Sequence, residues 1–248
     1  MSLVMERALA SMTVRQILAR RRAVALILFG LLPVALAAIL RRRATTAEAA
    51  LEAVVELDTM LIIPVILPIV ALVIGTGVFG AEIDDGTAMY VLAKPVPRWR
   101  IVLTRVLVAA VATALLTAPA AFLVVPVLGA KGAATVGLGF AGAVAVGALL
   151  YSALFVALSL ATRRALVAGI AYVVLWEGTI ASRAAGTRYL SVRQFVLSLA
   201  DRWAALPDAV FNAPLALRGA VVMSVLLCVG ATAYAIRRLR RFEVGEAV

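Results

Sequence analysis

One stretch of the chain, from Gly80 to Arg100, concentrates charged side chains that could do chemistry. Three acids, Glu82, Asp84 and Asp85, stand at its start, and basic residues stand at its end. The full sequence has no histidine, a single cysteine and no Gly-x-x-x-x-Gly-Lys-Ser/Thr phosphate loop. Zinc sites, Ser-His-Asp triads, disulfides and ATP-phosphate binding by that loop therefore lack their usual parts. We expect no enzyme, no catalytic or metal site and no bound cofactor in this chain.

The acids instead predict local structure. Asp84 or Asp85 can cap a helix, and their negative charge is favourable at its N-terminus. Pro95 should end that helix, because a proline disfavours α geometry in the residue before it. The spacing predicts a helix of about two turns, from Thr87 to Ala93.

The middle of this segment is bulky and apolar, with Met89, Tyr90, Val91 and Leu92 in sequence. A short helix with an apolar face and charged flanks suits insertion into a groove on a partner protein. An ordinary amphipathic connector between two membrane helices is the alternative.

The rest of the chain must place this segment beside a membrane. Hydrophobic residues make up 65% of the sequence and charged residues only 15%, well outside the range of soluble domains. We predict an all-α, polytopic membrane protein with one transmembrane domain over residues 1–248. Runs of about 20 apolar residues predict membrane spans. Six predicted spans cover residues 23–40, 59–81, 101–128, 133–161, 165–181 and 215–236.

Positive charge predicts the orientation. The net charge is +11, and arginines cluster at the ends of the apolar runs, which indicates contact with lipid headgroups rather than nucleic acid. With both termini cytoplasmic, inner segments carry 15 Lys and Arg and outer segments carry nine. We therefore expect a plasma-membrane protein with cytoplasmic termini, although Arg41–Arg43 would then lie outside. Residues 1–22 predict an interfacial helix, with a polar tail as the alternative.

Two further features concern the outer side and the spans. In the outer segment 182–214, apolar residues recur at helical spacing, which predicts an amphipathic helix on or in the outer leaflet. These residues are Tyr189, Val192, Phe195, Val196 and Leu199. No Asp, Glu or Lys is expected near the middle of a span, with Asp58 outside span two and Glu177 near an outer end. Ion-coupled carriers usually place ionisable residues there, so this pattern disfavours a proton- or sodium-driven carrier.

The pattern Glu-x-Asp-x-Gly-Thr, an apolar stretch and then Lys-Pro-Val-x-Arg before a span resembles the type-2 permeases of ABC transporters. The resemblance implies six spans, an N-terminal interfacial helix, a cytoplasmic coupling helix at 82–100 between spans two and three, and short outer helices between spans five and six. It also implies a second, smaller contact at Arg163 and Arg164. The residues that it assigns to ATPase coupling are Glu82, Asp84, Asp85, Gly86, Thr87, Met89, Tyr90, Leu92, Lys94, Pro95, Arg98, Arg163 and Arg164.

By that resemblance, the chain is the permease subunit of an exporter. A second permease chain, identical or homologous, would complete the pathway, and a separate cytosolic ATPase would hold ATP and Mg. The alternatives are a membrane scaffold or sensor without transport activity and a stand-alone secondary transporter. No residue is assigned to substrate binding.

Overall fold

The structure, a computed structural model, describes residues 20–84, 97–181, 186–207 and 209–240, and it leaves out the side chains of residues 20–22 and 79–84. Over these ranges the chain forms helices, turns and short irregular connections, and they contain no strand. The predicted all-α fold is thereby confirmed. The predicted coupling helix, Thr87–Ala93, and residues 1–19 of the predicted interfacial helix lie outside the described residues.

The helices of the described part follow one another with short connections. They are α1 (Arg20–Leu40), α2 (Ala47–Leu57), the π-helix π1 (Asp58–Ile66), α3 (Leu67–Asp84), α4 (Arg98–Leu128), α5 (Ala133–Ala161), α6 (Ala165–Ala171), the π-helix π2 (Tyr172–Ile180), a 3-10 helix (Gly186–Leu190), α7 (Val192–Ala204) and α8 (Leu217–Arg240).

Five of the six predicted spans correspond to helices that are long and apolar enough to cross a membrane. These helices cover Ala23–Leu40, Ala47–Val78, Arg98–Leu128, Ala133–Ala161 and Leu217–Arg240. The sixth predicted span, 165–181, corresponds to a shorter apolar helix, Ala165–Ile180. At about 1.5 Å per residue it reaches roughly 24 Å, less than the ~30 Å of a bilayer core. A sixth crossing therefore stays a prediction.

The second span begins earlier than the sequence predicts. Residues 47–57 were expected outside the membrane span, but they form α2, which continues directly through π1 into α3. The Thr46 hydroxyl oxygen accepts a hydrogen bond of 3.1 Å from the Ala49 amide and so caps the helix. Ala50 and Val54 are buried while Glu52 is exposed, so the acids occupy one face of an amphipathic helix.

The π-helix π1 interrupts the regular hydrogen bonding of this long helix. It contains Pro64, which has no amide hydrogen to donate. The Thr59 hydroxyl donates a 2.6 Å hydrogen bond to the Val55 carbonyl at its start. Insertions of π geometry into an α-helix are frequently found at functional sites.

Helix α5 lies at the centre of the bundle. Of its most apolar 18-residue window, 72% is buried, compared with 17% for α8. Two glycines let α7 approach α5 closely: a Cβ atom on Gly139 would lie 2.3 Å from the Ala204 nitrogen, and one on Gly147 would lie 2.6 Å from the Val196 side chain. The chain therefore has a helix where an outer amphipathic helix was predicted, but its apolar face packs within the protein.

Both ends of the described chain lie at the same end of the bundle. One buried cluster joins Leu26 of α1, Val78 of α3, Ile101 of α4, Leu160 of α5 and Leu239 of α8. These residues lie near the start of α1 and α4 and near the end of α3, α5 and α8, so the five helices alternate in direction. We call this the terminal end, and the opposite end, where α4 turns into α5, the far end.

Candidate coupling face

The terminal end collects the described residues that were predicted to contact an ATPase. Glu82 and Asp84 lie in the last turn of α3, and Arg98 is the first residue of α4. Arg163 and Arg164 form the turn between α5 and α6, where both are exposed. The structure thus brings these five residues to one end of the bundle. The others lie outside the described residues: Asp85, Gly86, Thr87, Met89, Tyr90, Leu92, Lys94 and Pro95.

The start of α4 combines charge with aromatic surface. The Arg100 guanidinium lies over the Trp99 ring, 5.2 Å from its centre, and Trp99 is 43% exposed. Arg98 is half-buried, and its Nη1 atom has no hydrogen-bond partner among the described residues. Stacked arginine and tryptophan are typical anchors at a membrane–water interface.

The turn between α5 and α6 is short and closed by its own side chain. The Arg164 amide donates a 3.2 Å hydrogen bond to the Thr162 hydroxyl oxygen. This bond keeps Arg163 and Arg164 at the surface beside the end of α5. The terminal end therefore presents a rigid, basic turn in addition to the ends of α3 and α4.

The comparison with known families agrees with this arrangement. A sequence model of the ABC-2 family transporter proteins matches residues 7–182. The match covers well over half of the chain and includes all the predicted coupling residues. The chain belongs to the ABC-2 transporter family. It is accordingly the membrane domain of a transporter, a multi-pass permease. No curated protein matches the chain.

Two arginines of the permease bind main-chain carbonyls at the terminal end. Arg105 of α4 is only 3% exposed, and its Nη1 atom donates a hydrogen bond to the Val78 carbonyl of α3. The Nε atom of Arg238 in α8 donates a 3.2 Å hydrogen bond to the Leu160 carbonyl of α5. The sequence suggested that Arg105 extends toward the interface, and this is corrected: its guanidinium is buried against α3. The available signal was an arginine inside an apolar run with no acid one turn away.

A third arginine makes the same type of contact at the far end. The Nη1 atom of Arg41 donates a 3.1 Å hydrogen bond to the Val127 carbonyl, in the last turn of α4. Carbonyls in the last turn of a helix lack partners within the helix and carry partial negative charge. Arg41, which charge counting could not place on the predicted outer side, thus has a structural role there.

Glu177 is a buried acid whose carboxylate is fully engaged. It is 3% exposed in π2 and accepts hydrogen bonds from the Tyr172 hydroxyl at 2.8 Å and from the Val192 amide at 2.9 Å. The Ser191 hydroxyl, at the N-cap of α7, also donates to it. A carboxylate is favourable at a helix N-terminus, so Glu177 fixes the start of α7 to π2.

Asp58 is a buried acid with the opposite surroundings. It is 0% exposed at the start of π1, and neither carboxyl oxygen has a hydrogen-bond partner among the described residues. The sequence placed Asp58 outside the second span. It is buried instead because α2 extends that span by eleven residues toward the far end. The described residues contain no cluster of three His, Cys, Asp or Glu side chains suited to a metal ion.

Proposed function

We propose that this permease is the membrane-spanning subunit of an ABC exporter, driven by a separate ATPase that docks at the terminal end. The observation that carries the proposal is the convergence there of Glu82, Asp84, Arg98, Arg163 and Arg164 in a chain of the ABC-2 family. Residues 85–97 connect α3 to α4 at that end, so a coupling helix within them would be available to a docking protein.

The energy source in this proposal lies on the partner. The sequence contains no Gly-x-x-x-x-Gly-Lys-Ser/Thr motif, so ATP and Mg are assigned to the ATPase subunit. ABC transporters work with paired membrane domains, so a second permease chain, identical or homologous, completes the pathway. The excess of Lys and Arg on the segments of the terminal end supports cytoplasmic termini in the plasma membrane.

Co-purification tests the proposal. The tagged permease is extracted in mild detergent from its native host, and its partners are identified by mass spectrometry. We expect a stoichiometric P-loop ATPase that is lost when residues 84–93 are scrambled. The matched control replaces two exposed arginines of the far end, Arg42→Gln and Arg43→Gln, and should retain the ATPase. A permease that purifies alone, or an ATPase that survives the scrambled segment, contradicts the proposal.

One observation favours a second candidate, a stand-alone ion-coupled carrier. Asp58 is a buried carboxyl group without a hydrogen-bond partner in the described part of the chain, and ion-coupled carriers use such groups. Glu177 does not support this candidate, because its carboxylate is engaged by α7. Uptake or efflux in vesicles that follows an imposed proton or sodium gradient without ATP would favour the second candidate.

A further inference from the structure

Arg105 joins two helices through a contact that admits little adjustment. Its guanidinium is always charged and, being buried beside Ile101, Val102 and Val106, needs a partner in the protein. The Val78 carbonyl is that partner. A shift of α3 along α4 would leave the buried charge with poorer hydrogen bonding, so the contact holds the two helices in one register.

Arg238 does the same for a second pair of helices at the same end. Its hydrogen bond satisfies the Leu160 carbonyl, which lies in the last turn of α5 and lacks a partner within that helix. Ala235 and Leu239 of α8 are buried in the cluster that also contains Val78 and Leu160. The two arginines therefore fasten α3 to α4 and α5 to α8 around a single apolar cluster.

The location of these contacts relates them to coupling. The α3–α4 pair flanks the predicted coupling segment, and α5 leads directly into the Arg163–Arg164 turn. A protein that docks there and moves would separate these helices unless they are fastened to one another. We propose that Arg105 and Arg238 are positioning residues that make the terminal end of α3, α4, α5 and α8 one rigid body, which carries the ATPase movement into the bundle. This inference rests on the proposed function.

The chain supplies a matched control. Arg41 makes the same type of bond, from a guanidinium to the main chain of a neighbouring helix, but at the far end. The variants Arg105→Met and Arg238→Met remove the donors and keep an unbranched side chain. Arg41→Met makes the same change away from the terminal end. Arg105→Lys restores the charge without the planar donor group and should recover part of the effect.

The first measurement is ATP hydrolysis by the complex of permease and co-purified ATPase in nanodiscs. We expect Arg105→Met and Arg238→Met each to lower the kcat of permease-stimulated hydrolysis by about tenfold, the scale of one lost hydrogen bond to a charged group. The KM for ATP should not change, because the nucleotide site is on the partner. Arg41→Met should behave like the unchanged permease. Equal kcat values in all three variants would overturn the inference.

The second measurement is hydrogen exchange of the permease alone, which does not depend on the ATPase. Arg105→Met should accelerate exchange in residues 78–84 and 98–105, and Arg41→Met only near residues 125–130. If no ATPase binds the unchanged permease, the proposed function fails, and exchange still tests the clamp. If an ATPase binds but exchange at the terminal end is unaffected, the clamp fails by itself. Should Arg105→Met not fold, Arg105→Lys and Arg238→Met serve for both measurements.

Discussion

Glu177 and Asp58 are both buried acids of the permease, and they differ in the number of donors around them. Glu177 accepts hydrogen bonds from a tyrosine, a serine and a helix N-terminus. Asp58 has no hydrogen-bond partner in the part of the chain that the structure describes. Burial of a polar group without a hydrogen bond is costly, whereas a carboxylate with several donors is well satisfied. Glu177 is therefore explained by the fold, and Asp58 by some function outside it or not at all.

The cost of Asp58 can be measured. We predict that Asp58→Leu raises the free energy of unfolding by about 1–4 kcal/mol, because an apolar side chain of similar volume replaces an unsatisfied buried carboxyl group. The readout is the thermal transition of the detergent-solubilised permease. The control is Glu56→Leu, which changes an exposed acid of the same helical segment.

The two outcomes for Asp58 have different meanings. A higher transition temperature together with lost activity would identify Asp58 as a functional group retained against stability. A lower transition temperature for Asp58→Leu than for Glu56→Leu would contradict the prediction. It would mean that the carboxyl group has a partner that stabilises it.

Among the helices, the contact between α5 and α7 depends on the absence of side chains. A Cβ atom on Gly139 would lie 2.3 Å from the Ala204 nitrogen and 2.4 Å from its Cα atom. Main-chain atoms cannot rotate away from such a contact, so α7 would have to move from α5. Gly230 of α8 has nothing within 4 Å of the same atom.

We therefore predict opposite effects for two glycine substitutions. Gly139→Ala should lower the free energy of unfolding by about 1–3 kcal/mol through overpacking. Gly230→Ala should leave stability unchanged or raise it by up to about 1 kcal/mol, because alanine is the better helix former. Thermal unfolding of both variants is the measurement. Equal effects at the two positions would mean that α7 does not lie against α5.

Helices with continuous apolar composition were predictable from sequence, and those that depend on tertiary contacts were not. The predicted spans 23–40 and 133–161 match the observed bounds because hydropathy alone defines them. The start of the second span was misplaced because acids on one face of α2 lower its mean hydropathy, although its other face is buried. The packing of α7 inside the bundle depends on Gly139 and Gly147, which are distant in sequence.

The candidate site was predictable in location and not in mechanism. The residues Glu82, Arg98 and Arg164 could be assigned to one end because the order of the spans dictates it. The buried contact of Arg105 could not be foreseen, since a charged residue near the end of a span usually extends to the interface. Only the three-dimensional arrangement shows that a main-chain carbonyl lies within its reach.

At the scale of the whole molecule, apolar surface is left on the helices at the periphery. Only 22% of the most apolar window of α1 and 17% of that of α8 is buried within the chain. Large apolar side chains such as Leu28 and Val229 are exposed there. Lipid or a second permease chain can cover such surfaces. The charged turns and both termini occur at the ends of the bundle, as a membrane domain requires.

The central claim is that a P-loop ATPase docks at the terminal end, and site-specific photocross-linking in native membranes tests it most directly. A photoreactive amino acid replaces Arg164, exposed at the terminal end, or Lys131, exposed at the far end. We predict that position 164 yields a cross-linked P-loop ATPase, identified by mass spectrometry, and that position 131 does not. A cross-link to that ATPase from position 131, or none from position 164 and its neighbour 163, would contradict the account.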